Sequence, residues 1–261
     1  MGKAIVIASG KGGTGKTSAT AAIGTGLALL AQRVLCIDCD AGLKNLDLAL
    51  GLAGCSALDF ADVLEGRAAA EDAVISHPDI SRLDFLQAPS NTSPSDIDVR
   101  LLTELTDRFK LQYDYILLDA PAGLGPGFRY GAACADMAIV IVTADASSLR
   151  DGQRTVMELN RLGIDRQRLI VNRVKPRLLK KTQATIDDMI DAVGAQLIGL
   201  VQEDENVTLA ANSEVPLLLY STQGAAAQFM RIARRINGEH IPLGDICRGH
   251  SPGFEAESPT F

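Results

Sequence analysis

Gly10-Lys11-Gly12-Gly13-Thr14-Gly15-Lys16-Thr17 decides how the rest of this chain is read. The stretch satisfies the phosphate-loop pattern GxxxxGK[ST] in full and carries a second lysine, Lys11, directly after the first glycine. Ahead of it, the apolar run Ala4-Ile5-Val6-Ile7-Ala8 reads as a buried strand. Behind it, Ser18 to Ala31 is rich in alanine and leucine and reads as a helix. A glycine-rich turn between strand and helix aims backbone N–H groups and the positive helix end at an anion. Lys16 is placed to reach the outer phosphates of a nucleotide, and the Thr17 hydroxyl to hold Mg²⁺. The same residues also satisfy GxGxxG, with Asp38 at the spacing of a ribose-binding acid in a dinucleotide site. A dinucleotide site has no use for a lysine and a hydroxyl at the helix start, so the stretch points to a nucleoside triphosphate.

Composition narrows the classes. With 261 residues, 47% hydrophobic content and a pI near 5.0, the chain suits one compact α/β domain. A net charge of −7 gives no global basic field, and aromatics are scarce with no tryptophan, so no nucleic-acid partner is predicted. Cys36, Cys39, Cys55, Cys134 and Cys247 are odd in number and show no zinc-site spacing; reduced thiols in a cytoplasmic protein are expected, three of them in apolar surroundings. His77, His240 and His250 are too scattered for a metal cluster. The N-terminal apolar run is too short for a secretory signal, and no stretch approaches the ~20 residues that span a bilayer.

Strand-like runs recur at Ala4–Ala8, Val34–Ile37, Leu83–Leu86, Tyr115–Leu118, Ala138–Val142, Leu169–Val171 and Leu197–Val201. Helical patterns at Thr17–Ala31, Asp98–Lys110, Ser147–Leu162 and Thr182–Val193 separate most of them. This alternation predicts an α/β fold, a predominantly parallel sheet with helices on both faces. A last helix runs from about Gln223 to Asn237, which makes residues 1–237 the body; residues 238–261 read as an irregular tail. Ligands of such sheets bind beyond the carboxyl ends of the strands. Polar sets fall there: Asp38-Cys39-Asp40 with Gly42 to Asn45, Asp119 to Gly123, and Asn172-Arg173.

Phosphoryl transfer to water needs neutralised charge, a held metal and an aligned water. Lys16, Thr17 and the loop amides supply the first two, with Asp38 and Asp119 placed to orient Mg²⁺. Asp40, leaving the strand two residues after Asp38, is better placed to meet the attacking water. The Gly123 amide is a candidate contact for the γ-phosphate. No guanine-reading NKxD motif is present, and Asn172 offers both a donor and an acceptor to an adenine edge, so ATP is expected over GTP.

KGGTGKT (Lys11–Thr17) resembles the deviant Walker A loop of the ParA/MinD superfamily of P-loop ATPases. DCDAGLKNLDLALGL (Asp38–Leu52), DVLEG (Asp62–Gly66), DAPAG (Asp119–Gly123), SSLRD (Ser147–Asp151), VNR (Val171–Arg173) and EDENV (Glu203–Val207) are similar to segments of its MinD branch, in the same order. The likeness runs from about residue 3 to residue 237. It implies an ATPase with ATP and Mg²⁺ as cofactors that cycles between monomer and ATP-sandwich dimer to regulate septum placement. Lys11 becomes the signature lysine that reaches a partner's nucleotide. Gly10, Gly12, Gly13, Thr14, Gly15, Lys16, Thr17 and Ser18 form the phosphate-binding set, with Thr17, Asp38 and Asp119 around the metal. Asp40 orients water, Asn45 lies on the dimer face near the γ-phosphate, and Asn172 contacts adenine. The resemblance also implies MinC-like and MinE-like partners, with Arg150 and Asp151 on the helix that meets the latter.

The tail departs from the branch. GEHIPLGDICRGHSPGFEAESPTF (Gly238–Phe261) has no amphipathic stripe and one arginine, Arg248, against Glu239, Asp245, Glu255 and Glu257. Direct membrane binding is therefore not expected; the chain is read as cytoplasmic, with attachment at the inner face of the cell membrane through a partner. Related readings are a positioning ATPase for another cargo, such as flagella or chromosomes, an iron–sulfur reductase of the nitrogenase-iron-protein type using Cys134, and a nucleotide-gated binding module.

Overall fold

Strand β1 (Lys3–Ala8) shows how the sheet is built. Ile5 and Ile7 pack into one apolar cluster, and Ala4, Val6 and Ala8 into another on the opposite face. A strand covered on both faces needs no polar alternation, which is why the run is apolar throughout. The structure is a computed structural model that describes residues 1–42, 44–55, 58–90, 92–182 and 185–243. Most of the expected tail, with Cys247, Arg248 and His250, lies outside the described residues.

After β1 come α1 (Lys16–Leu29), β2 (Val34–Asp38), α2 (Leu46–Ala49), α3 (Phe60–Leu64), α4 (Ala70–Ala73), β3 (Val74–Ser76) and β4 (Leu83–Leu86). The middle of the chain forms α5 (Val99–Phe109), β5 (Tyr115–Asp119), α6 (Pro126–Ala133), β6 (Met137–Val142) and α7 (Ala146–Arg161). It closes with β7 (Gln167–Val174), α8 (Pro176–Thr182), α9 (Ile186–Val193), β8 (Gln196–Gln202), α10 (Glu205–Asn212), α11 (Leu217–Tyr220) and α12 (Gly224–Ile236). The strands form one sheet in the order β3-β4-β2-β5-β1-β6-β7-β8. Only the β3–β4 pair is antiparallel. The chain leaves β1 for β2 on one side, and later crosses from β5 to β6 on the other. The ends of β1, β2 and β5 thus splay around a topological switch point, where such sheets bind ligands.

Helices α1 and α12 cover the face to which Ile5 and Ile7 point; α5, α6, α7 and α9 cover the other. Helix α1 is buried almost all round because its alanines and glycines let two layers close on it. A Cβ on Gly26 would lie 2.7 Å from the Ala233 Cβ of α12. Helix α5 begins after Asp98, whose side chain accepts the Arg100 and Leu101 N–H groups, and α7 begins after Asp145, which accepts that of Ser148.

Expectation and structure differ in places. The helix expected over Thr182–Val193 begins later, at Ile186, because Thr185 and Asp188 form a reciprocal capping box that starts α9 there. Strand β3 was not expected: three partly exposed residues at a sheet edge carry no readable period. Residues just past Asn237 also meet the body. The buried Arg235 guanidinium donates to the Ile198, Ile241 and Pro242 carbonyls, pinning the chain after α12 to the sheet.

Candidate functional site

Helix α1 begins at Lys16, with Gly15 as its N-cap at φ +83°. No side chain caps this end and no acid sits in its first turn, so its orphan N–H donors stay open to an anion. Gly13, at φ +79°, and Gly15 occupy the left-handed region that glycine enters without strain. A side chain at Gly15 is excluded twice, since a Cβ there would also lie 2.5 Å from Asn172 Nδ2. Gly10 is needed for close packing: a Cβ would meet the Asp151 carbonyl of α7 at 2.5 Å. Gly12 is exposed at the loop's outer turn, and Thr14 is buried beneath it.

Beneath the loop, Asp38 and Asp119 are register partners at the ends of β2 and β5, each only 1% exposed. Thr17 Oγ1 donates to Asp119 Oδ2 at 2.7 Å, and Thr20 Oγ1 donates to Asp119 Oδ1 at 2.9 Å. Burial, and then the charge of Asp119, pushes the Asp38 carboxyl up to about 7. Burial also raises Asp119, against the pull of Lys16 and the two threonine hydroxyls. Two buried acids that resist ionising side by side, with a hydroxyl adjoining, form a hard oxygen donor set that suits Mg²⁺. Among the described residues no three His, Cys, Asp or Glu side chains converge into a closed cage. Mg²⁺ keeps several waters and phosphate oxygens, so a closed cage is not required.

Asp40 stands outside this pair. Its N–H donates to Asp38 Oδ1 at 2.8 Å, and its own Oδ1 accepts the Gly42 N–H at 3.0 Å. The part-exposed carboxylate therefore sits on the solvent side of the buried Asp38–Asp119 pair. Asn45 is exposed at the start of α2.

Two expected contacts differ in this conformation. Lys11 turns to its own chain, where Nζ donates to Asp145 Oδ1 at 2.8 Å and Ser147 Oγ at 2.9 Å. Burial opposes ionisation of Asp145, but hydrogen bonds from Lys11, Thr143 and Ser147 hold its carboxyl well below the usual range. The Gly123 N–H, expected to face a γ-phosphate, is donated to the Ser9 carbonyl at 3.0 Å. Arg150 is exposed on α7, whereas Asp151 backs Gly10.

Beside α1 opens a cavity of about 720 Å³, lined by Gly15, Ser18, Asn172 and Arg173 on one side and the chain from Gln202 to Thr208 on the other. Asn172 Nδ2 donates to the Thr14 carbonyl at 2.8 Å, so one of its two amide N–H groups is committed to the loop. Arg173 has φ +54°, a conformation that costs a non-glycine residue roughly 1–2 kcal/mol. Sequence reasoning assigned no role to Thr20, Arg173 or Glu203; the segment Glu203–Val207 was noticed only as a similar stretch. Cys36, Cys39 and Cys134 are buried as expected, and Cys134 faces Thr103 inside the core. A thiol so placed is not available to a cluster shared between two chains.

The profile of the CobQ/CobB/MinD/ParA nucleotide binding domain matches residues 5–217. The septum site-determining protein MinD of Bacillus subtilis is 35% identical over 264 residues, spanning 100% of this chain and 98% of the relative. The structure superposes on MinD in the MinC:MinD cell division protein complex of Aquifex aeolicus with a TM-score of 0.86 and 37% identity, covering 93% of this chain and 98% of that one. For MinD of Pyrococcus horikoshii complexed with Mg-ADP, the TM-score is 0.80 at 28% identity, covering 91% and 96%. An open phosphate loop above a paired-carboxylate site agrees with these likenesses: the chain belongs to the MinD branch of the CobQ/CobB/MinD/ParA nucleotide-binding family.

Proposed function

We propose that this chain is a Mg²⁺-dependent ATPase that cycles between monomer and ATP-sandwich dimer to regulate division-site placement. The observation that carries this reading is the uncapped loop and helix standing directly over Thr17, Asp38 and Asp119, with Asp40 alongside. Lys16 and the loop amides neutralise the phosphate oxygens, while Thr17, Asp38 and Asp119 hold Mg²⁺ directly or through its waters. Mg²⁺ bound there would neutralise charge on the transferring phosphoryl group. Asp40 accepts a hydrogen bond from the attacking water and aligns it. With one amide N–H given to the Thr14 carbonyl, Asn172 keeps Oδ1 and its second N–H for a base. That acceptor and donor match the N6–H donor and ring-nitrogen acceptor of an adenine edge, which suits ATP.

Lys11 supplies the inter-subunit contact of the dimer, leaving Asp145 to do so. A MinC-like protein is the partner suggested by the Aquifex complex, and α7, with Arg150 exposed, is the surface for a MinE-like activator. No helix among the described residues is long and apolar enough to cross a membrane. The protein acts in the cytoplasm, and its attachment to the membrane's inner face runs through a partner.

The test is phosphate release together with nucleotide binding. Lys16→Ala should lose productive ATP binding. Asp40→Ala should bind ATP yet turn over about 10²-fold or more slowly, since it loses water alignment and not phosphate contact. Parent-rate hydrolysis by Asp40→Ala would remove the role given to that residue.

A further inference from the structure

The phosphate loop is gripped from outside by two adjacent residues that also line the neighbouring cavity. Arg173 Nη1 donates to the Gly13 carbonyl at 2.9 Å, and Asn172 Nδ2 donates to the Thr14 carbonyl at 2.8 Å. In a planar trans peptide the C=O and the following N–H point in opposite directions. Holding the Gly13 carbonyl outward therefore turns the Thr14 N–H inward, and holding the Thr14 carbonyl does the same for Gly15. Inward N–H groups are what a phosphate nest is made of. Without the grip, the glycines at 13 and 15 leave these peptides free to reorient.

Arg173 is itself secured. It sits at φ +54° where β7 slips register against β8, a backbone held in place by what the side chain reaches. Its second nitrogen, Nη2, donates to Glu203 Oε1 at 3.0 Å, and Lys175 holds Glu203 Oε2 at 2.8 Å. We propose that Arg173, locked by Glu203, is a positioning residue that presets the phosphate loop before nucleotide arrives. The proposal rests on the nucleotide reading above. It separates Arg173 from two simpler roles, a contact for the base and a distant positive charge.

The experiment measures displacement of a fluorescent ADP by ADP and by AMP, each with Mg²⁺. The ratio of the two affinities reports what the second phosphate gains from the loop. Arg173→Gly deletes the guanidinium while easing the left-handed backbone, so it retains the fold. In that variant the ratio should shrink about tenfold, the scale of one charge-assisted hydrogen bond. Arg173→Lys should shrink it too, because a point charge cannot bridge Gly13 and Glu203 at once. An unchanged ratio in Arg173→Gly, whether or not both ligands weaken together, overturns the proposal, as does full recovery in Arg173→Lys. If the unsubstituted chain itself does not distinguish ADP from AMP, the nucleotide reading falls and the positioning role with it.

Discussion

Asp38 and Asp119 meet at the ends of β2 and β5, and their environment makes a prediction at the scale of single residues. Asp38 titrates near 3.8 when unperturbed and at about 7 in the fold, so the folded chain holds its proton more tightly. The stability this group contributes is complete below about pH 4 and is lost as pH rises through about 7. Nucleotide-free, Mg²⁺-free protein should therefore melt at a lower temperature at pH 8 than at pH 5.5, and Asp38→Asn should flatten that slope. Bound Mg²⁺ with nucleotide should reverse it, because a cation favours the ionised pair. A slope that survives in Asp38→Asn would assign the effect elsewhere. Thr20 gives a second prediction. Its hydroxyl donates to the buried Asp119, and Thr20→Val should cost about 1–3 kcal/mol in urea unfolding by stranding that carboxyl. A loss below a few tenths would mean that Thr17 satisfies Asp119 alone.

Among the elements, α1 carries both the site and the core. Its first turn is left open for an anion, while its middle is closed in by the sheet and α12. Gly26→Val tests the second half. The added Cβ would press on the Ala233 Cβ, which has no rotamer to yield, and valine's small gain in helix propensity over glycine is too slight to offset it. A loss of about 3 kcal/mol in urea unfolding is expected. Unaltered stability would show that α12 can shift away at little cost. The start of α9 follows from local chemistry too, since the Thr185–Asp188 box that sets it is written in the sequence, beneath the apolar period read across it.

For the whole molecule, the question is what the dimer is built from. Lys11 is bonded to Asp145 and Ser147 of its own chain, and an inter-subunit role requires it to exchange those contacts for a partner's phosphates. Analytical ultracentrifugation of Asp40→Ala with ATP should show a dimer that disappears when Lys11→Ala is added. Equal dimer fractions would remove the signature-lysine role. Flotation with anionic vesicles and ATP should show weak or no direct binding by the full chain. The comparison truncation belongs after Leu243, because a cut after Asn237 would strip Arg235 of two acceptors and disturb the body. Strong ATP-dependent flotation lost on truncation would establish the tail as a membrane anchor.

The phosphate loop, its flanking strand and helix, and the carboxylates after β2 and β5 were legible in the sequence, because each depends on residues within a few positions of one another. Alternating apolar runs set the layered α/β class for the same reason: burial on both faces leaves a local, continuous signature. Partners that meet across the fold were not legible. Thr20 reaches Asp119 across 99 positions, Arg173 reaches Gly13 across 160, and Lys11 reaches Asp145 across 134. Side-chain type states what a residue can donate or accept. Which of several acceptors it meets is settled only when packing of the sheet brings one of them within three ångströms.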